Sequence, residues 1–175
     1  MLKFEQPEFD EVTSREWIVT NGLGGYASSS ICGANTRRYH GLLVASFNPP
    51  TDRRVLVSKL EETIIYKDLT IPISTNAYPG AIHPKGFEQI ESFDHDPFPK
   101  IIFRKEKAAI TKSVFMRHGF NTTIVEYANT GKTAYQLQVV PLLVYRDDHH
   151  LFHESAPWTF VTSEKNHVLE IIPAQ

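Results

Sequence analysis

The sequence has a single cysteine, Cys32, in 175 residues, which excludes an intrachain disulfide and a cysteine-rich metal site. Long apolar runs are missing too. None approaches the roughly 20 residues of a membrane-spanning helix, and Met1-Leu2-Lys3-Phe4-Glu5-Gln6-Pro7 has no apolar core of signal-peptide length. A cytoplasmic location is the expectation, and the sequon Asn121-Thr122-Thr123 would matter only in a secreted protein. An excess of one charge is absent: the formal net charge of −2 excludes a broadly basic nucleic-acid surface. Helix formers are also few. Val, Ile, Thr, Phe, Tyr and Trp number 60 against 25 Ala, Leu and Met, a balance that favours pleated, half-buried strands. Eleven Pro and nine Gly suit a fold with many turns, and a hydrophobic fraction of 41% excludes disorder. The length fits one domain.

Glycine and proline punctuate what is present. Trp17-Ile18-Val19-Thr20 stops at the turn dipeptide Asn21-Gly22. The small residues Gly24 to Ser30 suit a segment where backbone approaches a neighbour closely. Tyr39 to Phe47 reads as a strand closed by Asn48-Pro49-Pro50, and 54–66 with 69–74 read as a hairpin joined near Lys67-Asp68. Between Ile73 and Lys100 four prolines and two glycines forbid a long regular element, and so long an irregular stretch points to a binding face. Beyond it, Ile110, Lys112, Val114 and Met116 alternate with Thr111, Ser113 and Phe115 at the period of a sheet. Turns at Gly119-Phe120-Asn121 and Asn129 to Lys132 set off strands over Thr122 to Ala128 and Thr133 to Tyr145. Val139 to Val144 is apolar throughout, which predicts burial on both faces, with Pro141 at a bulge or unpaired position. Trp158 to Thr162 and His167 to Ile172 supply two more strands. The expected fold is all-β, an antiparallel sandwich or barrel.

Most motifs fail on inspection. Gly22-Leu23-Gly24-Gly25 lacks the third glycine and the helix of a dinucleotide loop, and Gly131-Lys132-Thr133 has Glu126 where a phosphate loop needs glycine. Glu61 and Glu62 face opposite ways on a strand and cannot flank one glycosidic bond, an objection that Asp147 and Asp148 share. No nucleophile elbow or Cys–His pair is present. His149, His150 and His153 with two aspartates are the richest metal-like cluster. On a strand His149 and His150 would diverge, so a polar loop accounts for them equally well.

Polar density at strand ends remains, in Asn21 to Tyr26, Asn35 to Gly41 and Tyr145 to His149. Each places Asn, Arg, Asp or His beside an aromatic ring, a mixture suited to sugar: rings stack on C–H faces and planar polar groups pair with hydroxyls. Either Arg37 or Arg38 is expected in a structural ion pair. Trp17 and Tyr39 are open to a core or a stacking role.

These blocks carry a resemblance. Arg15 to Ser28 and Ala34 to Ala45, then Leu56 to Thr63, His83 to Phe87 and Pro141 to His149, resemble in order the N-terminal domain of bacterial and archaeal glycogen debranching enzymes of the amylo-α-1,6-glucosidase type. One departure is Asp148, which stands where an aromatic is usual. The resemblance implies a large glucoamylase-like β-sandwich (a supersandwich, here incomplete at its C-terminal end) over residues 1–175. It also implies a catalytic (α/α)6 barrel after residue 175, since no helical-hairpin pattern occurs in this chain. The implied function is non-catalytic: helping to form the α-glucan cleft and docking on that barrel, with Asn21, Tyr26, Arg37, Arg38, Tyr39, His40, Arg146 and Asp147 as candidates for the substrate face. No catalytic residue, cofactor, metal, membrane or nucleic-acid partner is expected. The competing readings are a metal-dependent cupin-like barrel using His149, His150 and His153, and a free-standing carbohydrate-binding module.

Overall fold

The computed structural model describes residues 1–151, 153 and 160–173. Its first half runs β1 (Leu2–Lys3), α1 (Phe9–Thr13), β2 (Glu16–Thr20), β3 (Tyr26–Ser30), β4 (Gly41–Asn48), β5 (Thr51–Tyr66) and β6 (Leu69–Pro72). Then follow β7 (Thr75–Tyr78), β8 (Ala81–Lys85), a 3-10 turn (Gly86–Gln89), β9 (Ile90–Asp94), β10 (Lys100–Lys105), β11 (Ala108–Met116), β12 (Thr123–Asn129), β13 (Gln136–Asp147), β14 (Phe160–Lys165) and β15 (Val168–Pro173). All pairings are antiparallel. One sheet has the order β1-β9-β10-β11-β12. The other has the order β13-β5-β4-β3-β2, with β6 also on β5. Trp17, Ala27, Leu42 and Ile64 of the second sheet share a core with Phe93, Ile101, Phe103, Ile110 and Val114 of the first. This is the antiparallel sandwich-like, all-β architecture that the composition predicts.

Local chemistry explains the register. Lys67 and Asp68 close the β5–β6 hairpin, with Lys67 at φ 54° and Tyr66 opposite Leu69. On β11 the expected alternation holds, and it turns Lys112 inward between Ile110 and Val114. There it meets Glu62 of β5, and the two ionised side chains pair across the sandwich with only 12% and 4% exposure. Tyr127 of β12 donates to the same Glu62 Oε1 at 2.6 Å and Ser74 donates to Oε2 at 3.0 Å. Glu61 points elsewhere, to Asn76 at 2.8 Å and Lys59 at 3.4 Å.

Three expectations need correction. The 73–100 stretch is not irregular: it holds β7, β8, the 3-10 turn and β9, because prolines forbid long elements but leave room for strands of four or five residues. Val139 to Val144 is not buried on both faces. β13 is an edge strand with β5 as its partner, and Val139, Val140 and Leu142 remain 38%, 44% and 39% exposed. Pro141 stays in register opposite Leu60, as an edge position tolerates, and the irregularities fall at Leu142/Leu143 and between Leu143 and Arg146. Trp158 and Thr159, read as the start of a strand, lie outside the described residues; β14 and β15 form a two-stranded ribbon.

Candidate functional site

The sequence blocks around Asn35 to Gly41 and Tyr145 to His149 meet in space. A turn before β4 and a turn after β13 lie side by side, although some 110 residues separate them. Arg146 is the main tie. Its guanidinium donates to the carbonyls of Asp147 at 3.1 Å and His150 at 2.8 Å, and across to Arg38 O at 2.5 Å. In return Arg38 donates to His149 O at 3.2 Å, with its Cζ 5.8 Å from the Tyr39 ring centroid. The Tyr39 hydroxyl and His149 Nδ1 are 3.3 Å apart, and their rings pack edge to face at 5.7 Å. Asp147 caps this turn by accepting the His149 N–H at 2.8 Å, a backbone bond that holds its carboxyl below the usual range.

Strand register supplies the adjoining wall. Tyr26 stands opposite Val44, Val44 opposite Val55, and Val55 opposite Arg146, so the four share one face of the sheet. Trp17, Val19 and Ala27 pack into the core from the other face. Tyr26 is half-buried beside Asp148, and desolvation first and that carboxylate second push its hydroxyl up to about 12.

Arg37, Arg38, His40 and Arg146 line an open depression of about 380 Å³ together with Asn35, Thr36, Ser58, Val144 and Leu151. A second cavity, about 30 Å³, lies among Trp17, Lys59, Glu62 and Lys112 and is far too small for a sugar ring.

Two candidates change character. Asn21 is fully buried and all its amide capacity is used: Oδ1 accepts from Leu23 N at 2.9 Å and Gly25 N at 3.0 Å, while Nδ2 donates to Phe120 O and Asn121 Oδ1 at 3.0 Å. It therefore has no group to offer a sugar; it locks the glycine turn onto the 119–121 turn. The glycines of that turn are required by contact. At Gly24, with φ +94°, a Cβ would fall 2.4 Å from Pro50 O, and at Gly25 one would fall 2.7 Å from Asn21 Nδ2. His40 is likewise internal, 2% exposed, with Nδ1 accepting the Thr36 N–H at 3.1 Å. Its Nε2 lies 3.3 Å from Glu16 Oε1 but is too poorly aligned for a hydrogen bond.

Burial is the main force lowering the His40 pKa below the ordinary 6.5, so the folded state holds fewer protons than the unfolded one. Stability is therefore expected to fall as pH drops below about 6.5. Urea midpoints measured between pH 7.5 and 5 check this: the decline should be shallower in His40→Gln, and an equal decline in both proteins contradicts it.

The remaining candidates stay at the surface. Tyr39 is 43% exposed, whereas Trp17 is a core residue at 5%. Arg37 forms the structural ion pair, with Glu16. Sequence reading missed Arg53, whose Nε pairs with the 3% exposed Asp148 at 3.1 Å. Asp148, the departure from the debranching block, is thus a buried carboxylate paired with a 37% exposed arginine in place of an aromatic ring. Phe47 was missed as well: it packs on Tyr145 at 6.4 Å with Arg54 over both rings. The signal was the partner strand, since Arg53 and Arg54 lie opposite Ser46 and Ala45.

His149, His150 and His153 do not converge. Among the described residues no three His, Cys, Asp or Glu side chains come together as a metal would need.

A family model described as the glycogen debranching enzyme N terminal matches residues 15–174. No curated protein and no solved structure matches the chain.

Proposed function

The chain belongs to the glycogen debranching enzyme N-terminal family, and from that premise we propose that it is a non-catalytic sandwich whose face between the 35–40 and 145–150 turns borders an α-glucan cleft. The same face docks on a helical catalytic barrel in the parent enzyme. The observation that carries this reading is the reciprocal tie between Arg146 and Arg38 O and between Arg38 and His149 O. It holds Tyr39, Arg37 and Arg38 outward on a fixed frame, and preorganised polar and aromatic groups are what a sugar surface requires. Tyr26 flanks them from β3. Asn21 and His40 serve as internal supports of this face.

The engagement of the paired carboxylates supports the non-catalytic reading. Glu62 is bound to Lys112 and Tyr127, Glu61 to Asn76, and Asp148 to Arg53. A glycosidase needs two carboxyl groups facing one bond across roughly 5–9 Å, one of them free to give a proton. Incubated with a limit dextrin, the purified chain is expected to release no glucose above the rate of buffer. Glucose release that scales with protein concentration would overturn the non-catalytic reading.

A further inference from the structure

The depression between the two turns carries more positive charge than a neutral glucan calls for. Three guanidinium groups line it and, among the described residues, no carboxylate stands on its wall. Among the described residues, Arg38 and Arg146 have no carboxylate in ion-pair range. Arg37 gives only its Nε to Glu16. Among the described residues, both terminal nitrogens of Arg37, and Nε and Nη2 of Arg38, therefore have no hydrogen-bond acceptor. Crowded like charges repel one another; here backbone carbonyls hold Arg38 and Arg146, and Glu16 holds Arg37.

Guanidinium forks match oxyanions, pairing with two oxygens at once. Thr36 and Ser58 line the same depression, Val144 and Leu151 give an apolar wall, and about 380 Å³ is the size of a small-ligand site. We propose that this depression binds a hexose phosphate monoester, with Arg37 and Arg38 on the phosphate and Thr36, Ser58 and the apolar wall around the ring. The inference rests on the reading that this face meets glucan, and adds that the recognised unit is phosphorylated. The ester is supplied either as a free hexose phosphate or on a glucan chain.

Arginine Nε–H signals of the 175-residue chain, followed by NMR at low salt, test the proposal with four probes: glucose 6-phosphate, glucose, inorganic phosphate and a maltotriose phosphorylated at a 6-hydroxyl. Glucose 6-phosphate should shift the Arg37 and Arg38 signals and bind about 10-fold or more tighter than glucose or inorganic phosphate. Arg37→Gln and Arg38→Gln, both at exposed positions, should each weaken it about 10-fold. Tighter binding of the phosphorylated maltotriose identifies the source as an ester on glucan, and equal or weaker binding identifies free hexose phosphate. Inorganic phosphate binding as tightly as glucose 6-phosphate, or unchanged affinity in both Gln variants, would reduce the site to non-specific charge and overturn the proposal. Neutral maltotetraose separates the two readings: shifts with it but no preference for the phosphate sink this inference alone, while silence with it beside tight glucose 6-phosphate binding sinks the glucan reading.

Discussion

Glu62→Gln is expected to lower the unfolding free energy by about 3–5 kcal/mol, because it leaves the Lys112 ammonium inside the sandwich without its counter-charge. The loss reaches further than one pair. Glu62 accepts from Tyr127 and Ser74 as well, so a single side chain fastens β5 and the segment after β6 to β11 and β12. Desolvation, with the Glu62 charge second, drives the Tyr127 hydroxyl far above its ordinary value, as expected for a phenol donating to a buried anion. Urea denaturation monitored at two wavelengths would measure the loss as a lower midpoint at unchanged slope. Replacing both ions and the phenol that donates to them, Glu62→Leu with Lys112→Met and Tyr127→Phe, should recover most of it, since the apolar set has neither a charge to desolvate nor a buried phenol without an acceptor. A loss under about 1 kcal/mol in the single variant would mean the pair is hydrated in solution, in the range of exposed ion pairs.

Asn21→Ala is expected to cost about 3 kcal/mol, the sum of four hydrogen bonds made by one fully buried amide at about 1 kcal/mol or less each. Leu23 N, Gly25 N, Phe120 O and Asn121 Oδ1 are its partners. Asn121 is itself committed, exchanging hydrogen bonds with the backbone of Ser46, so the damage should spread to β4. Hydrogen exchange would show it as faster exchange at residues 22–25, 46 and 119–121. Unchanged stability with weakened glucan binding would contradict the internal role and return Asn21 to the sugar face.

Strand positions and faces were legible where the cause is local. Lys67-Asp68 marks the β5–β6 hairpin because a two-residue turn leaves few alternatives, and the period of two over 110–116 puts even Lys112 on its true inward face. The position of Glu61 next to Glu62 sufficed to send them to different partners. Burial of Val139 to Val144 was not legible. A continuous apolar run looks the same whether or not something covers its second face, and β13 lies at a sheet edge. The site divides in the same way. That polar residues cluster at strand ends is written in the sequence, whereas the meeting of the 35–41 and 145–149 blocks is set by contacts between distant residues. Which of them face outward is decided by distant partners. Asn21 binds residues about 100 positions away, and His40 is enclosed beside Glu16. Nothing in either local sequence separates a buried tie from a sugar contact.

An NMR titration of the chain with maltotetraose bears most directly on the glucan-facing role. Backbone and side-chain shifts should concentrate at Tyr26, Arg37, Arg38, Tyr39 and residues 145–150, with weak, millimolar affinity as befits one wall of a cleft. Spectra unchanged up to tens of millimolar ligand, or shifts that fall away from these two turns, would contradict it.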